Sequence, residues 1–255
     1  MKVFKKLVKD SIVYMTHGGL YYHIWMAVLT ALMLVGMYCY FLQLDQGLSV
    51  TGMNDRVSWG LYISNFTFLV GVAAAAVMLV LPTYVLHDFD FKQAVLIGEG
   101  LAVAALIMCL AFVVADMGGP ARLWHIIPFV GVFNFPNSML TWDVLVLNGY
   151  LFINLSIPFY ILFQRYQGKT PNPKIYIPGV IISVFWAFAI HLVTAFLYQG
   201  LQARPFWNNA LLGPKFLASA FAAGASAAGT VSAGLAGRTF SPAFGASSGT
   251  LALAM

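Results

Sequence analysis

"WAFAIHLVTAFLYQG" occupies Trp186–Gly200. It is the second half of a run from Ile177 to Gly200 that contains no Asp, Glu, Lys or Arg. A helix rises about 1.5 Å per residue, so a run of this length crosses the ~30 Å hydrocarbon core of a bilayer. One imidazole, His191, interrupts it. The reading of this stretch as a membrane helix sets the fold class, and the rest of the chain agrees with it.

Only 8% of the 255 residues are charged and 61% are hydrophobic. A soluble domain carries roughly 25% charged residues. Mean hydropathy is +0.84. There is too little polar surface to cover a globule in water, so lipid is the solvent for most of the chain. The net charge of +5 is a topology signal rather than a nucleic-acid footprint, because no basic run carries interleaved aromatics. Cys39 and Cys109 lie in apolar runs without a CxxC partner and read as packing residues.

The expected fold is all-α, a polytopic transmembrane bundle of about six spans. The spans are His23–Leu44, Ser58–Leu86, Ala94–Asp116, Leu140–Phe163 and Ile177–Gly200, with a weaker sixth from Leu211. Residues 1–22 form an N-terminal segment and 23–220 the bundle. Residues 221–255 form an Ala/Gly-rich segment, interrupted by Arg238 and Pro242, that reads as an incomplete last helix or a tail. "MKVFKKLVKD" has the charge of a signal-peptide n-region, but the apolar run after it is too long for one. It is an uncleaved first span.

Lys2, Lys5, Lys6 and Lys9 precede that span. Lys92, Arg165, Lys169 and Lys174 fall on the same side. Arg56, Arg122, Arg204 and Lys215 fall on the other. The positive-inside rule puts the N-terminus in the cytoplasm. The loops Asp45–Val57, Met117–Met139 and Leu201–Ala210 then face outward.

Ionisable residues inside a span cost about 2.5–3.5 kcal/mol on insertion scales, which makes them functional candidates. On the fourth span, Asp143, Tyr150 and Asn154 recur at i, i+7 and i+11, a polar stripe on one face. Interhelical hydrogen bonding is the bland alternative. On the fifth, His191, Thr194 and Tyr198 recur at i, i+3 and i+7. His191 falls in the outer half, where Asp143 could approach it; otherwise it is a neutral imidazole on a backbone carbonyl. Glu99, between Gly98 and Gly100, is either a proton carrier or a carboxylate snorkelling to the near interface. In the second span Trp59 and Tyr62 stand at interface depth, and Asn65 is its polar handle. The outer loop holds Arg122, Trp124 and His125 together and folds back on the bundle or under a partner. His17, His23 and His87 are interfacial. A bis-His haem needs facing axial histidines, and only His191 is deep.

Four stretches carry a resemblance: "WGLYISNFTFLVGVAAAA" (Trp59–Ala76), "DMGGPARLWHIIPF" (Asp116–Phe129), "NSMLTWDVLVLNGYL" (Asn137–Leu151) and "AIHLVTAFLYQGLQARPFWN" (Ala189–Asn208). In order and spacing they resemble the NrfD/PsrC family, the membrane subunits of polysulfide-reductase-type complexes, in particular its DsrP type. The resemblance covers roughly Trp59 to Phe221. It implies a bundle without bound haem, iron–sulfur cluster or metal. It implies electron exchange between menaquinone or ubiquinone and a periplasmic ferredoxin-like iron–sulfur subunit, with cytochrome subunits as further partners, in a bacterial or archaeal cytoplasmic membrane. The second-helix quinone positions map near Tyr62 to Phe66, with Asn65 the best match. The histidine frequent there in the family is absent, and Phe66 stands near its place. Asp143 resembles the fourth-helix polar site; His191 and Arg204 resemble the later "H…TAF…RP" pattern.

The resulting expectation assigns His191 and Asp143 to quinone protonation. Tyr62, Asn65, Tyr150, Thr194, Tyr198 and Arg204 line the quinone site. Glu99 and Asn154 form a proton path. The alternatives are a haem-free structural anchor for redox partners and a transporter.

Overall fold

The computed structural model describes residues 2–54, 57, 59–80, 92–127, 130–202 and 204–222, and the side chains of 2, 75–80 and 92–97 are outside that description. Among the described residues the fold is all-helical, without strands. The helices are α1 (Lys2–Thr16), α2 (Leu20–Gln46), α3 (Leu61–Val80), α4 (Lys92–Asp116), α5 (Met139–Tyr166) and α6 (Pro173–Gln199), followed by α7 at 212–222. Helices are what a bilayer demands, since every backbone N–H and C=O must be satisfied within its own segment. Four of them are long and apolar enough to span: α2, α4 over Gly98–Asp116, α5 and α6. α3 is apolar over the shorter Leu61–Ala74. These helices coincide with the expected spans. The expected end of the second span at Leu86, His87, Arg56 and the segment from residue 223 onward lie outside the described residues.

Four helices form a closed ring: α3 packs on α4, α4 on α5, α5 on α6, and α6 back on α3. The core inside the ring is small and apolar. It contains Phe66, Val70 and Ala73 from α3, Ala105, Leu106 and Cys109 from α4, Leu147 and Tyr150 from α5, and Ala187 and Ile190 from α6. Small residues let backbones approach where lipid offers no hydrophobic drive to associate. Gly149 is the sharpest case. A Cβ there would stand 2.5 Å from Trp186 Cζ2, and the indole that fills the space donates Nε1–H to the Val146 carbonyl at 2.8 Å.

The turn between α5 and α6 is short, so the two are antiparallel neighbours. Gly168 takes φ +72° there, a left-handed conformation that glycine adopts without a Cβ clash. Asn172 caps α6 by accepting from the Lys174 N–H at 3.1 Å, with Pro173 in the first turn. The loop between α4 and α5 folds into a 3-10 turn at Pro120–Ile126. It roofs an apolar groove of about 700 Å³ lined by residues of α4 and α5, Trp186 and the loop itself.

α2 stands apart from the ring. Its one buried side chain is Gln43. The Gln43 amide donates to the Ala115 carbonyl at 2.6 Å and accepts from the Tyr62 hydroxyl at 2.6 Å.

Candidate functional site

The ends of α2, α4 and α6 and the starts of α3, α5 and α7 meet at one end of the bundle. There α6 runs out at Gly200, and a turn brings the Asn208 N–H to the Arg204 carbonyl at 3.0 Å. The turn folds Trp207 back over the last turn of α6. Tyr198 is consequently boxed in by rings. Trp207 stacks on it with centroids 5.0 Å apart. Trp59 meets it edge-on at 4.8 Å and Phe216 at 5.6 Å. Edge-to-face and offset-stacked rings at these distances are the favoured geometries. The Tyr198 hydroxyl bonds Thr67 Oγ1 on α3. Thr67 Oγ1 and the Tyr198 hydroxyl also reach the Ile63 carbonyl, at 2.9 Å and 3.5 Å, so either hydroxyl can be the donor of the pair.

Beside these rings lies a cleft of about 250 Å³, walled by Trp59, Ile63, Thr67, Tyr198 and Trp207, with Arg204 at its margin. It combines flat apolar walls with a phenol, two hydroxyls including Ser64, and a guanidinium. Apolar walls with a few fixed polar groups are the make-up of a small-molecule pocket.

One turn deeper, Thr194 is fully buried against Asp143. Thr194 Oγ1 lies 3.1 Å from Asp143 Oδ1 and 2.7 Å from the Ile190 carbonyl. A hydroxyl has one proton to donate and lone pairs to accept with. If the proton goes to Asp143, the pair is an alcohol bonded to a carboxylate. If it goes to Ile190, Asp143 can hold a proton and donate it to Thr194. The site thus accommodates both protonation states of Asp143 without moving a heavy atom.

His191 is also buried, but it turns toward α7, lining a narrow apolar crevice with Ala74, Phe188, Leu217 and Phe221. Its Nδ1 faces the Ala187 carbonyl at 3.0 Å. A carbonyl only accepts, so Nδ1 carries the hydrogen. Nε2 is then the acceptor of the neutral ring, and no partner meets it among the described residues. The histidine bonded to a backbone carbonyl and the histidine offering a reactive nitrogen are therefore the same histidine.

Further in, Tyr150 is fully buried and Asn154 donates to its carbonyl at 2.9 Å. The Tyr150 hydroxyl reaches the Ala73 carbonyl at 3.4 Å. Glu99 is 3% exposed, with Oε2 unmet by any described residue. Leaving such groups unsatisfied costs about 1–3 kcal/mol each.

The structure therefore brings together Asp143 with Thr194, Tyr198 with Arg204, and Tyr150 with Asn154. The partner of Asp143 across the α5–α6 contact is Thr194 rather than His191. Tyr62 points away from Tyr198, into a recess shared with Cys39 and Gln43. Asn65 is half-buried and, two positions from Thr67, falls on the opposite side of α3. The sequence alone does not single out Thr67 or Trp207, and it marks Trp59 only as an interface anchor. The Ile63/Thr67 spacing, one helical turn apart, is the available signal. His17, His23 and His125 are exposed.

A family model described as "Polysulphide reductase, NrfD" matches residues 49–252. The chain belongs to the NrfD family. The match takes in α3 through α7 and with them every residue of the cleft and the polar file beneath it. Among curated relatives, the NrfD chain is 26% identical over 217 residues to an "Hdr-like menaquinol oxidoreductase integral membrane subunit" of Archaeoglobus fulgidus, covering 85% of this chain and 50% of that protein. It is 24% identical over 151 residues to a selenate reductase subunit of Mesobacillus selenatarsenatis, covering 59% of this chain and 34% of that one. The chain spans half or less of the length of these relatives. Family membership and four span-length apolar helices make it an integral membrane protein.

Proposed function

We propose that this NrfD chain is the quinone-reacting membrane subunit of a multisubunit redox complex. The observation that carries the reading is the aromatic cleft at Tyr198, set one helical turn above the buried Asp143–Thr194 pair. Interconversion of quinone and quinol moves two electrons and two protons, so a site for it needs a slot for a ring, hydrogen-bonding groups at its oxygens and somewhere to put protons. Trp59 and Trp207 supply flat walls. Tyr198 and Arg204 supply donors. Asp143 takes or returns a proton, with Thr194 reorienting its hydroxyl to suit. His191, hydrogen-bonded at Nδ1, offers Nε2 as a proton acceptor in the crevice beside α7. Glu99, Asn154 and Tyr150 continue inward as a proton path from the opposite side.

Menaquinone or ubiquinone is the substrate in this reading. The loops around Trp124 and Trp207 lie on the periplasmic side, under a ferredoxin-like iron–sulfur subunit that exchanges electrons with the quinone; cytochrome subunits lie beyond it. The chain works in a bacterial or archaeal cytoplasmic membrane with its N-terminus inside. It is a reactive subunit rather than an enzyme acting alone.

A photoreactive menaquinone analogue added to the assembled complex in lipid nanodiscs tests this. Label should fall on peptides holding Trp59, Tyr198 and Trp207 and should vanish with excess menaquinone. Trp207→Ala should raise the quinol concentration needed for half-maximal turnover by about tenfold, the scale of one lost aromatic contact. Labelling confined to the groove between α4 and α5, or indifferent to competing menaquinone, sinks the assignment.

A further inference from the structure

The first helix lies outside the redox site and is not absorbed by it. On a helical wheel Lys2, Lys5, Lys6 and Lys9 fall within about 100° of one another. Val3, Phe4, Leu7, Val8 and Met15 lie on the opposite side, within about 140° and with Ser11 among them, while Val13 falls among the lysines. Val3, Phe4, Val8 and Met15 are all exposed, Met15 at 71%. The helix leads through Gly18 and Gly19 into α2, a membrane span. Two contacts tie it to the last two turns of α5. The Phe4 ring meets Phe159 edge-on at 6.2 Å, and the Tyr166 hydroxyl donates to Asp10 Oδ2 at 2.7 Å. These hold α1 beside the last two turns of α5, on the side of the bundle where α2 begins.

A helix with a basic face, an apolar face and an adjoining span is built to lie in the plane of the bilayer surface. We propose that α1 is an anionic-lipid-binding helix, with Phe4, Val8 and Met15 in the acyl boundary and the lysines on lipid phosphates. Its lysine stems are long enough to reach headgroups from the flanks of the helix while the apolar face stays buried. A protein partner is the competing occupant. The charge pattern argues for lipid: the apolar side faces away from the lysines, so one flat surface that is greasy below and negative above satisfies both at once.

The test uses the full chain in nanodiscs of phosphatidylcholine, with or without phosphatidylglycerol. Cys39→Ala removes the exposed cysteine, and Cys109 is buried. A nitroxide at Met15→Cys reports the apolar face and one at Thr16→Cys the polar face. With phosphatidylglycerol present, the Met15 label should collide with oxygen and be shielded from a water-soluble nickel chelate, with the reverse at Thr16. Each of Lys5→Gln, Lys6→Gln and Lys9→Gln should lower the docked-to-free ratio about fivefold, since a lysine near an anionic surface contributes about 1 kcal/mol. Equal nickel access at both positions overturns the proposal. So does a Met15 label that is equally deep without phosphatidylglycerol and in the triple Lys→Gln variant, since burial would then owe nothing to lipid charge.

Discussion

Thr194 and Asp143 form a buried pair across the α5–α6 interface in which the alcohol, 3.1 Å from the carboxylate, has a second acceptor 2.7 Å away at Ile190. The hydroxyl proton therefore has two destinations, and which one it takes reports whether Asp143 is protonated. Asp143→Asn keeps the size and the hydrogen bond but cannot cycle a proton. It should insert and assemble normally while quinol-linked electron transfer falls by about 10²-fold or more, the scale of a lost acid–base group. Thr194→Val leaves the carboxyl with one partner fewer and should cost about 1–3 kcal/mol of stability as well as turnover. Wild-type turnover in an assembled Asp143→Asn complex would falsify a protonic role for the pair.

His191 shares no hydrogen bond with Asp143, so its loss should act separately. His191→Leu is expected to assemble and to lose about 10²-fold in turnover. Combined with Asp143→Asn, the losses should multiply if the two residues serve different protons. Near-normal activity of an assembled His191→Leu complex would return the residue to packing.

Gly149 governs how closely α5 and α6 approach. Gly149→Ala places a methyl group 2.5 Å from Trp186 Cζ2 and 2.8 Å from Cε2. The indole must shift, and with it the hydrogen bond to Val146. Overpacking of this kind costs about 1–3 kcal/mol, read as a lower thermal midpoint in detergent. A second change, Trp186→Phe, removes the clash and should make Gly149→Ala less costly than it is alone. An unchanged midpoint for Gly149→Ala would mean that the helices separate freely.

Topology is tested from outside the cell with cysteines placed at Arg122 and Lys169, both exposed, in a Cys39→Ala background. Arg122→Cys should label and Lys169→Cys should not. The opposite pattern inverts the chain and moves the cleft at Tyr198 to the cytoplasmic side.

The spans and both polar stripes are legible in the sequence because helical periodicity is local. Asp143, Tyr150 and Asn154 need only a count of residues to share a face, and they do share the buried one. Which stripe meets which needs the crossing of two helices. A one-turn offset between α5 and α6 is enough to give Asp143 to Thr194 instead of His191. The box around Tyr198 joins Trp59, Trp207 and Phe216 from three separate segments, a meeting that no spacing encodes. α1 is legible too, but only when its lysines are read for phase against Val3, Phe4, Leu7 and Val8 as well as for topology charge. The family resemblance maps quinone positions near Tyr62 to Phe66, and the Tyr62 hydroxyl bonds Gln43 of α2.

That last contact fixes the standing of α2. Twenty-seven residues of helix bury one side chain, whose amide grips a carbonyl of α4 and a phenol of α3 together. Apolar side chains along the rest of α2 meet lipid as willingly as they meet protein, so they set no preference for where it rests. Gln43 fixes the depth and end-point of α2 at one end of the bundle, while its beginning is linked through α1 to α5, so the helix is pinned at its two ends and presents lipid with everything between.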